Sequence, residues 1–226
     1  MTKLPHARIG DVGPITAGLA SALELASKGS PAYWLSRYWP ELEPATSRAA
    51  AGAESDEFTK RRIAHVDRYV LVWLAVEAIL VVAVILPGRR PVEIRAAAVA
   101  FVSLRIFDIM QRVMNVALME GVGENRAVVA SFTRSIVLAL VNFFELCICF
   151  GVIYASDYPR LNGAGRPLSG FYFSVITQLT IGYGDIYPTG YARVIAAIQG
   201  LAALVFIVLV FARVVQSLPP RKGVRE

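Results

Sequence analysis

Long apolar stretches constrain this chain more than any other feature of its sequence. Of the 226 residues, 56% are hydrophobic, whereas ordinary globular chains contain roughly 45–50% apolar residues. The excess lies in continuous runs, and about 20 apolar residues are enough to cross the hydrocarbon core of a bilayer. The composition therefore excludes an ordinary soluble domain, a disordered chain and a collagen, and it predicts a small polytopic membrane protein.

Four of these stretches are candidate membrane spans. The expected bounds are Tyr69 to Leu86, Ile94 to Ala117, Ser135 to Tyr154 and Val194 to Val215. The second stretch is interrupted by charged residues, although its part Ala96–Leu104 is uncharged and apolar except for Ser103. If this stretch lay along the membrane surface, the chain would have three spans.

The first 60 residues are too polar to span a membrane. We expect a helix over Ile15–Lys28 that ends at Gly29, and a flexible linker over Pro40–Glu57. The aromatic segment 33–39 suits either the headgroup boundary or a contact on the cytoplasmic face of the protein. The N-terminus lacks the basic and apolar regions of a signal peptide, so we expect no cleavage and a cytoplasmic start.

The most specific chemical signal lies between the third and fourth spans. Residues Gly170–Leu179 form an apolar helix candidate that is too short to cross a bilayer, so we expect it to be re-entrant. It is followed by Thr180-Ile181-Gly182-Tyr183-Gly184-Asp185, where two glycines alternate with bulky residues. Because glycine adopts positive φ freely, this alternation allows successive carbonyl groups to point the same way.

Irregular backbone at membrane depth is tolerated where protein buries it or water lines it, so this segment is expected to line a pore. Rings of backbone carbonyls replace the hydration shell of potassium in channels with a Thr-Val-Gly-Tyr-Gly loop. The segment resembles that selectivity filter, with isoleucine for valine. The resemblance is to the pore domain of tetrameric potassium channels, particularly prokaryotic ones with one pore loop per chain, and it covers roughly residues 131–217.

The resemblance implies a role for each filter residue. The backbone oxygens of Thr180, Ile181, Gly182 and Tyr183 would coordinate K⁺, and the Thr180 hydroxyl would close the inner site. Gly184 would complete the outer turn. Potassium would be the permeant ion, and no other metal or cofactor is expected.

The resemblance also assigns supporting residues around the filter. Tyr172, Phe173 and Tyr183 would form an aromatic cuff that holds the diameter of the filter, and Asp185 occupies the acidic position outside it. The C-terminus of the short helix would direct its negative dipole at the cavity where the cation loses water.

Two departures from the family pattern concern the filter entrance and the last helix. Leu179 stands where the family often has a hydroxyl residue, which predicts altered filter stability or blocker sensitivity. The small hinge position of the gating helix aligns with Ala203, whereas the glycine of this chain, Gly200, falls almost one turn earlier. Gln199 either faces the cavity or forms a hydrogen bond between helices.

Several charges fall inside the predicted spans. A voltage-sensor interpretation of Arg105 and Arg112 is disfavoured because arginine does not recur at every third position. Asp108 is spaced i,i+3 from Arg105 and i,i+4 from Arg112, which predicts a structural ion pair. Glu77 and Glu145 could pair with an arginine of the second span or carry a proton.

With an external filter, four spans would place both termini in the cytoplasm. Basic residues before the first span and at the C-terminus agree with the positive-inside tendency, but Arg89, Arg90 and Arg95 would then be external. A bacterial inner membrane is expected from the resemblance.

The sequence thus predicts an all-α membrane protein with four spans and a re-entrant pore helix and filter between the third and fourth, assembled as a homotetramer in lipid. The expected divisions are a cytoplasmic segment 1–60, a two-helix region 61–125, a pore domain 126–218 and a tail 219–226.

The predicted function is a potassium channel, and the alternatives are a weakly selective cation channel or a non-conducting membrane scaffold. Enzyme motifs are absent from the sequence, and no nucleic acid or organic substrate is expected. Cys147 and Cys149 are spaced so that a helix denies them a mutual disulfide.

Overall fold

The computed structural model describes residues 56–86, 91–119 and 132–216, together with isolated positions between 18 and 29. These ranges contain five α-helices and two short strands. In chain order the elements are α1 (Asp56–Ile85), α2 (Val92–Met119), α3 (Phe132–Ser156), β1 (Leu161–Asn162), α4 (Leu168–Gln178), β2 (Tyr187–Pro188) and α5 (Ala192–Gln216).

Helix α3 lies at the centre of the bundle and contacts each of the other four helices. One apolar core forms where α3 meets α4 and α5, and it includes Phe150, Phe173 and Phe206. A second core joins α3 to α2 through Val102 and Val152. The short helix α4 is therefore held against α3 and α5, while α1 and α2 pack on α3 and α2 also contacts α5, adding Ile109 to the first core.

Three helices are long and apolar enough to cross a membrane: Val66–Ile85, Ile136–Ser156 and Ala192–Phe211. They correspond to the first, third and fourth predicted spans and confirm an all-α membrane protein. Helix α2 is 28 residues long, but its charged residues exclude it from the helices that are apolar enough to cross a membrane. The prediction of four spans and its three-span alternative therefore both stay open.

Helix α1 begins at Asp56, well before the predicted span at Tyr69, so the linker predicted to reach Glu57 was placed slightly too far along the chain. The difference has a physical reason, because hydropathy marks only the part of a helix that lies in lipid. The intervening residues include Lys60, Arg61 and Arg62, which are good helix formers although they are charged.

Near the N-terminus, positions 18, 21, 22, 25 and 26 are helical and a turn follows at Lys28-Gly29, which agrees with the predicted helix and its stop. The aromatic segment 33–39, most of the predicted linker, the loop arginines Arg89 and Arg90 and the predicted cytoplasmic tail lie outside the described residues.

Glycine allows α4 to approach α3 closely. A Cβ atom added at Gly170 would lie 2.5 Å from the backbone nitrogen of Ala155, and one added at Gly151 would overlap the ring of Phe171. Because the Gly170 contact is with backbone, no rotamer change can relieve it. The position of α4, and of the segment that follows it, therefore depends on the absence of a side chain at this residue.

Replacing Gly170 with alanine should destabilise the fold. Alanine favours the helix by up to about 1 kcal/mol, but overpacking costs roughly 1–3 kcal/mol, and sometimes more, in a well-packed core. We expect a net loss near the upper end of that range, measured by unfolding in mixed detergent micelles. Gly165→Ala is the matched control because a Cβ there meets nothing within 4 Å, and equal stability of the two variants would contradict this packing argument.

The strands β1, which precedes α4, and β2, which follows the glycine segment, form a small antiparallel pair. Leu161 pairs with Pro188 and Asn162 with Tyr187. The backbone nitrogen and the hydroxyl of Thr189 both donate to the carbonyl of Arg160, at 2.8 and 2.7 Å. The turn before α4 is thus fastened to the chain that leaves residues 179–186.

Candidate functional site: a short helix and its glycine segment

The segment after α4 alternates in backbone handedness. Thr180, Gly182 and Gly184 have φ values of 56°, 56° and 79°, whereas Ile181 and Tyr183 between them do not have positive φ. Residues of opposite hand in alternation direct successive carbonyl groups to the same side, which a regular strand does not do. The two glycines therefore have the positive φ that the sequence predicted, and Thr180 has it as well.

Thr180 is the only described non-glycine residue with positive φ. For an L-residue the left-handed region costs roughly 1–2 kcal/mol, and such strain persists only where surrounding contacts impose it. The residue type at position 180 does not predict this conformation.

The inner half of the segment is fastened to the end of α4. The backbone nitrogen of Thr180 donates to the carbonyl of Thr177 at 3.1 Å, and that of Ile181 donates to the carbonyl of Ile176 at 2.9 Å. These bonds satisfy carbonyl groups that a helix C-terminus leaves without partners. The turn that leads from α4 into the segment is thereby fixed by the helix itself.

The outer half is fastened by a side chain of α4. The hydroxyl of Tyr172 donates to a carboxylate oxygen of Asp185 at 2.9 Å. This hydrogen bond is the main cause of a raised pKa of Tyr172, because it stabilises the protonated hydroxyl. Two residues that were predicted to support the filter are therefore in contact.

The three residues of the predicted aromatic cuff lie in different environments within one chain. Phe173 is buried and packs edge-on against Tyr154 of α3, with ring centroids 4.9 Å apart. Tyr172 contacts Asp185, whereas Tyr183 is 70% exposed. The structure does not bring these rings together within the chain, and the role of the cuff stays a prediction.

A buried amide network lies behind the segment. The Gln199 amide of α5 donates to the carbonyl and hydroxyl of Ser174, at 2.9 and 3.0 Å, and to the amide oxygen of Gln178 at 3.1 Å. The Ser174 hydroxyl in turn donates to the carbonyl of Cys147 at 2.8 Å. Gln199 therefore forms the predicted bond between helices. Ser174 and Gln178 were missed, although polar residues at i and i+4 of an apolar helix were a usable signal.

The predicted gating residues lie inside a continuous helix. Helix α5 runs through both Gly200 and Ala203 without a break. Ala203 is fully buried, whereas a Cβ at Gly200 would meet nothing within 4 Å. Leu179, at the end of α4, is 46% exposed. Their functional roles stay predictions.

A second polar cluster is buried among α1, α2 and α3. The Arg105 side chain is 1% exposed and donates to both carboxylate oxygens of Glu145, at 2.6 and 2.8 Å. It also forms the predicted ion pair with Asp108, at 2.9 Å. Its Nε atom lies 3.8 Å from a carboxylate oxygen of Glu77. One guanidinium thus joins three helices.

Aromatic side chains and a second arginine complete this cluster. Arg112 is ion-paired with Asp108, as predicted, and donates to the hydroxyl of Tyr69 at 2.8 Å. That hydroxyl donates to Asp108 at 2.9 Å. The Arg105 guanidinium lies 4.8 Å from the ring centre of Trp73, within cation–π range.

Neither cluster has the donors of a conventional metal site. The described residues contain no group of three or more His, Cys, Asp or Glu side chains that could hold a metal ion. Cys147 and Cys149 are buried free thiols, as their spacing predicted.

Comparison with known proteins supports a channel. Residues 142–218 match the family model described as ion channel. The matched range contains most of α3 and all of α4, the glycine segment and α5. No curated protein and no solved structure matches the chain. The match and the apolar helices together indicate an integral membrane protein with ion channel activity.

Proposed function

We propose that this chain is one subunit of a homotetrameric channel that conducts potassium passively and selectively. The observation that carries the proposal is the alternation of backbone handedness over residues 180–184, between two helices that are long enough to span a membrane. Four such segments around an axis would stack rings of carbonyl oxygens, which replace the hydration shell of K⁺. Thr180, Ile181, Gly182 and Tyr183 are the proposed K⁺ ligands.

The exposure of the segment supports assembly. Ile181 is 47% exposed and Tyr183 is 70% exposed, although both are large and lie at membrane depth in this proposal. The apolar face of α5 is also open, with Leu201 63% and Phe211 68% exposed. Three further copies of the chain would cover these surfaces and close the oxygen rings.

The proposed topology has an external filter mouth, four spans and cytoplasmic termini in a bacterial inner membrane. The resemblance to prokaryotic channels and the basic residues before the first span support this orientation. Helix α2 would be the second of these four spans, because its charged side chains Arg105 and Asp108 are buried inside the bundle and do not face lipid.

Flux through the purified full-length protein in liposomes tests the proposal. We expect the reversal potential to follow the potassium gradient, by about 59 mV for each tenfold ratio, and to change little when sodium replaces an inert cation. Native mass measurement should give four chains per assembly. A reversal potential that follows sodium equally would favour the weakly selective channel, and an absence of flux would favour the scaffold.

A further inference from the structure

The proposed ion path leaves the arginines at one end of the bundle unexplained. Arg166 lies in the turn before α4, which is fastened to β2. Arg95 donates to the carbonyl of Ser156 at the end of α3 and borders the same groove as Arg166, so both lie at the end of the bundle where the glycine segment leads into β2. Arg89 and Arg90 precede Arg95 closely in the sequence. Basic residues are depleted from external loops of membrane proteins. Under the proposed topology Arg95 and Arg166 would be external, so they call for a function that offsets this tendency.

Arg95 and Arg166 border a groove of about 870 Å³ between α1, α2, the end of α3 and the turn before α4. Its walls are mainly apolar side chains from the ends of α1 and α2. They include Leu80, Ala83, Val84, Ile94 and Ala98. Among the described residues that line the groove, the two arginines are the only charged ones.

The two guanidinium groups are available to an anion. Arg95 donates to the carbonyl of Ser156 at 3.3 Å, which directs its side chain toward the end of α3. Within the described part of the chain, neither Arg95 nor Arg166 forms an ion pair with a carboxylate. Arginine binds phosphate oxygens in a bidentate manner, and the N-terminus of the 11-residue helix α4 beside Arg166 adds positive potential.

We propose that this groove binds one anionic phospholipid per chain. Its phosphate lies between Arg95 and Arg166, and an acyl chain lies along Leu80, Val84 and Ala98. A free phosphate would leave these apolar walls uncovered. A zwitterionic lipid would bring a cationic headgroup between two guanidinium groups with no carboxylate in the groove to receive it. The proposal requires only that α1 and α3 lie in a membrane, and it is independent of potassium selectivity.

Lipid retention by the full-length protein tests the site. The protein is purified in neutral detergent and titrated with dioleoyl phosphatidylglycerol, with dioleoyl phosphatidylcholine of the same acyl chains, or with inorganic phosphate. Native mass spectrometry then counts the bound lipids. We expect one phosphatidylglycerol per chain to be retained. Arg95→Ala/Arg166→Ala should bind it roughly 30-fold more weakly, since each arginine near an anionic surface contributes about a fivefold factor.

Three further variants separate the site from general effects. Ala83→Trp fills the groove and keeps both arginines, so it should also lose the lipid. Arg95→Lys/Arg166→Lys keeps both positive charges and should retain most of the binding. It serves as the control that substitution at these two positions does not disturb folding. Arg68→Ala removes an exposed arginine on α1 that does not line the groove and should bind normally. Equal retention of both lipids, retention by the alanine double variant or by Ala83→Trp, or displacement of the lipid by inorganic phosphate would overturn the proposal.

Discussion

Replacing Gly182 with alanine should abolish potassium flux while leaving the protein folded. Gly182 has a φ of 56°, where an L-residue costs roughly 1 kcal/mol or more. In a proposed ring of four chains this is about 4 kcal/mol in total, enough to reduce the conducting backbone roughly a thousandfold. The assay is K⁺ efflux from liposomes that contain equal amounts of native or variant protein.

The environment of Gly182 makes this variant a specific probe. A Cβ at this position meets nothing within 4 Å in the chain, so the loss of flux should result from backbone strain of roughly 1 kcal/mol per chain and not from a steric clash. Gly165→Ala, which also meets nothing within 4 Å and lacks positive φ, is the control and should conduct like the native protein. Equal flux through Gly182→Ala and the native protein would refute the assignment of the pore.

Removing Glu145 should destabilise the protein strongly, because it leaves the buried Arg105 without the carboxylate to which one of its guanidinium nitrogens donates. Loss of one member of a buried ion pair typically costs about 3–5 kcal/mol. We expect Glu145→Leu to lie in this range and Arg105→Met/Glu145→Leu to cost less than the sum of the two single changes, because the double change removes both charges. The measurement is a double-mutant cycle of unfolding free energies in mixed micelles.

An exposed ion pair of this chain provides the comparison. Arg160 lies 3.7 Å from Asp157, with the two side chains 52% and 39% exposed. Exposed pairs contribute about 0–1 kcal/mol, so Arg160→Met should change stability little. If the changes in unfolding free energy of Arg105→Met and Glu145→Leu add up to that of the double variant, the two groups do not stabilise one another.

Local patterns in the sequence were sufficient for much of the fold. The apolar runs located α1, α3 and α5, and the short apolar run before the glycines located α4, because hydropathy and length report directly on helices in lipid. The ion pairs of Asp108 were predictable because both partners lie on one helix at favourable spacing. The alternating handedness at Gly182 and Gly184 was predictable because glycine alone tolerates it without cost.

Contacts between distant residues were not predictable in the same way. The ion pair of Arg105 and Glu145 joins residues 40 positions apart, and sequence reasoning left Glu145 with two alternatives, an arginine of the second span or a bound proton. The amide network of Gln199 depends on how α4 is seated against α5. Similarly, the positive φ of Thr180 is imposed by surrounding contacts and has no signature in the residue type.

The central position of α3 has a consequence for any attempt to isolate a minimal pore from this chain. The same helix carries Glu145, which meets Arg105 of α2, and Gly151, which α4 approaches closely. If α1 and α2 were deleted, the Glu145 carboxylate would lose its partner Arg105 and would contact lipid, which is energetically costly. A shortened chain would need an apolar residue at position 145. The native α3 therefore depends on α1 and α2 for its stability.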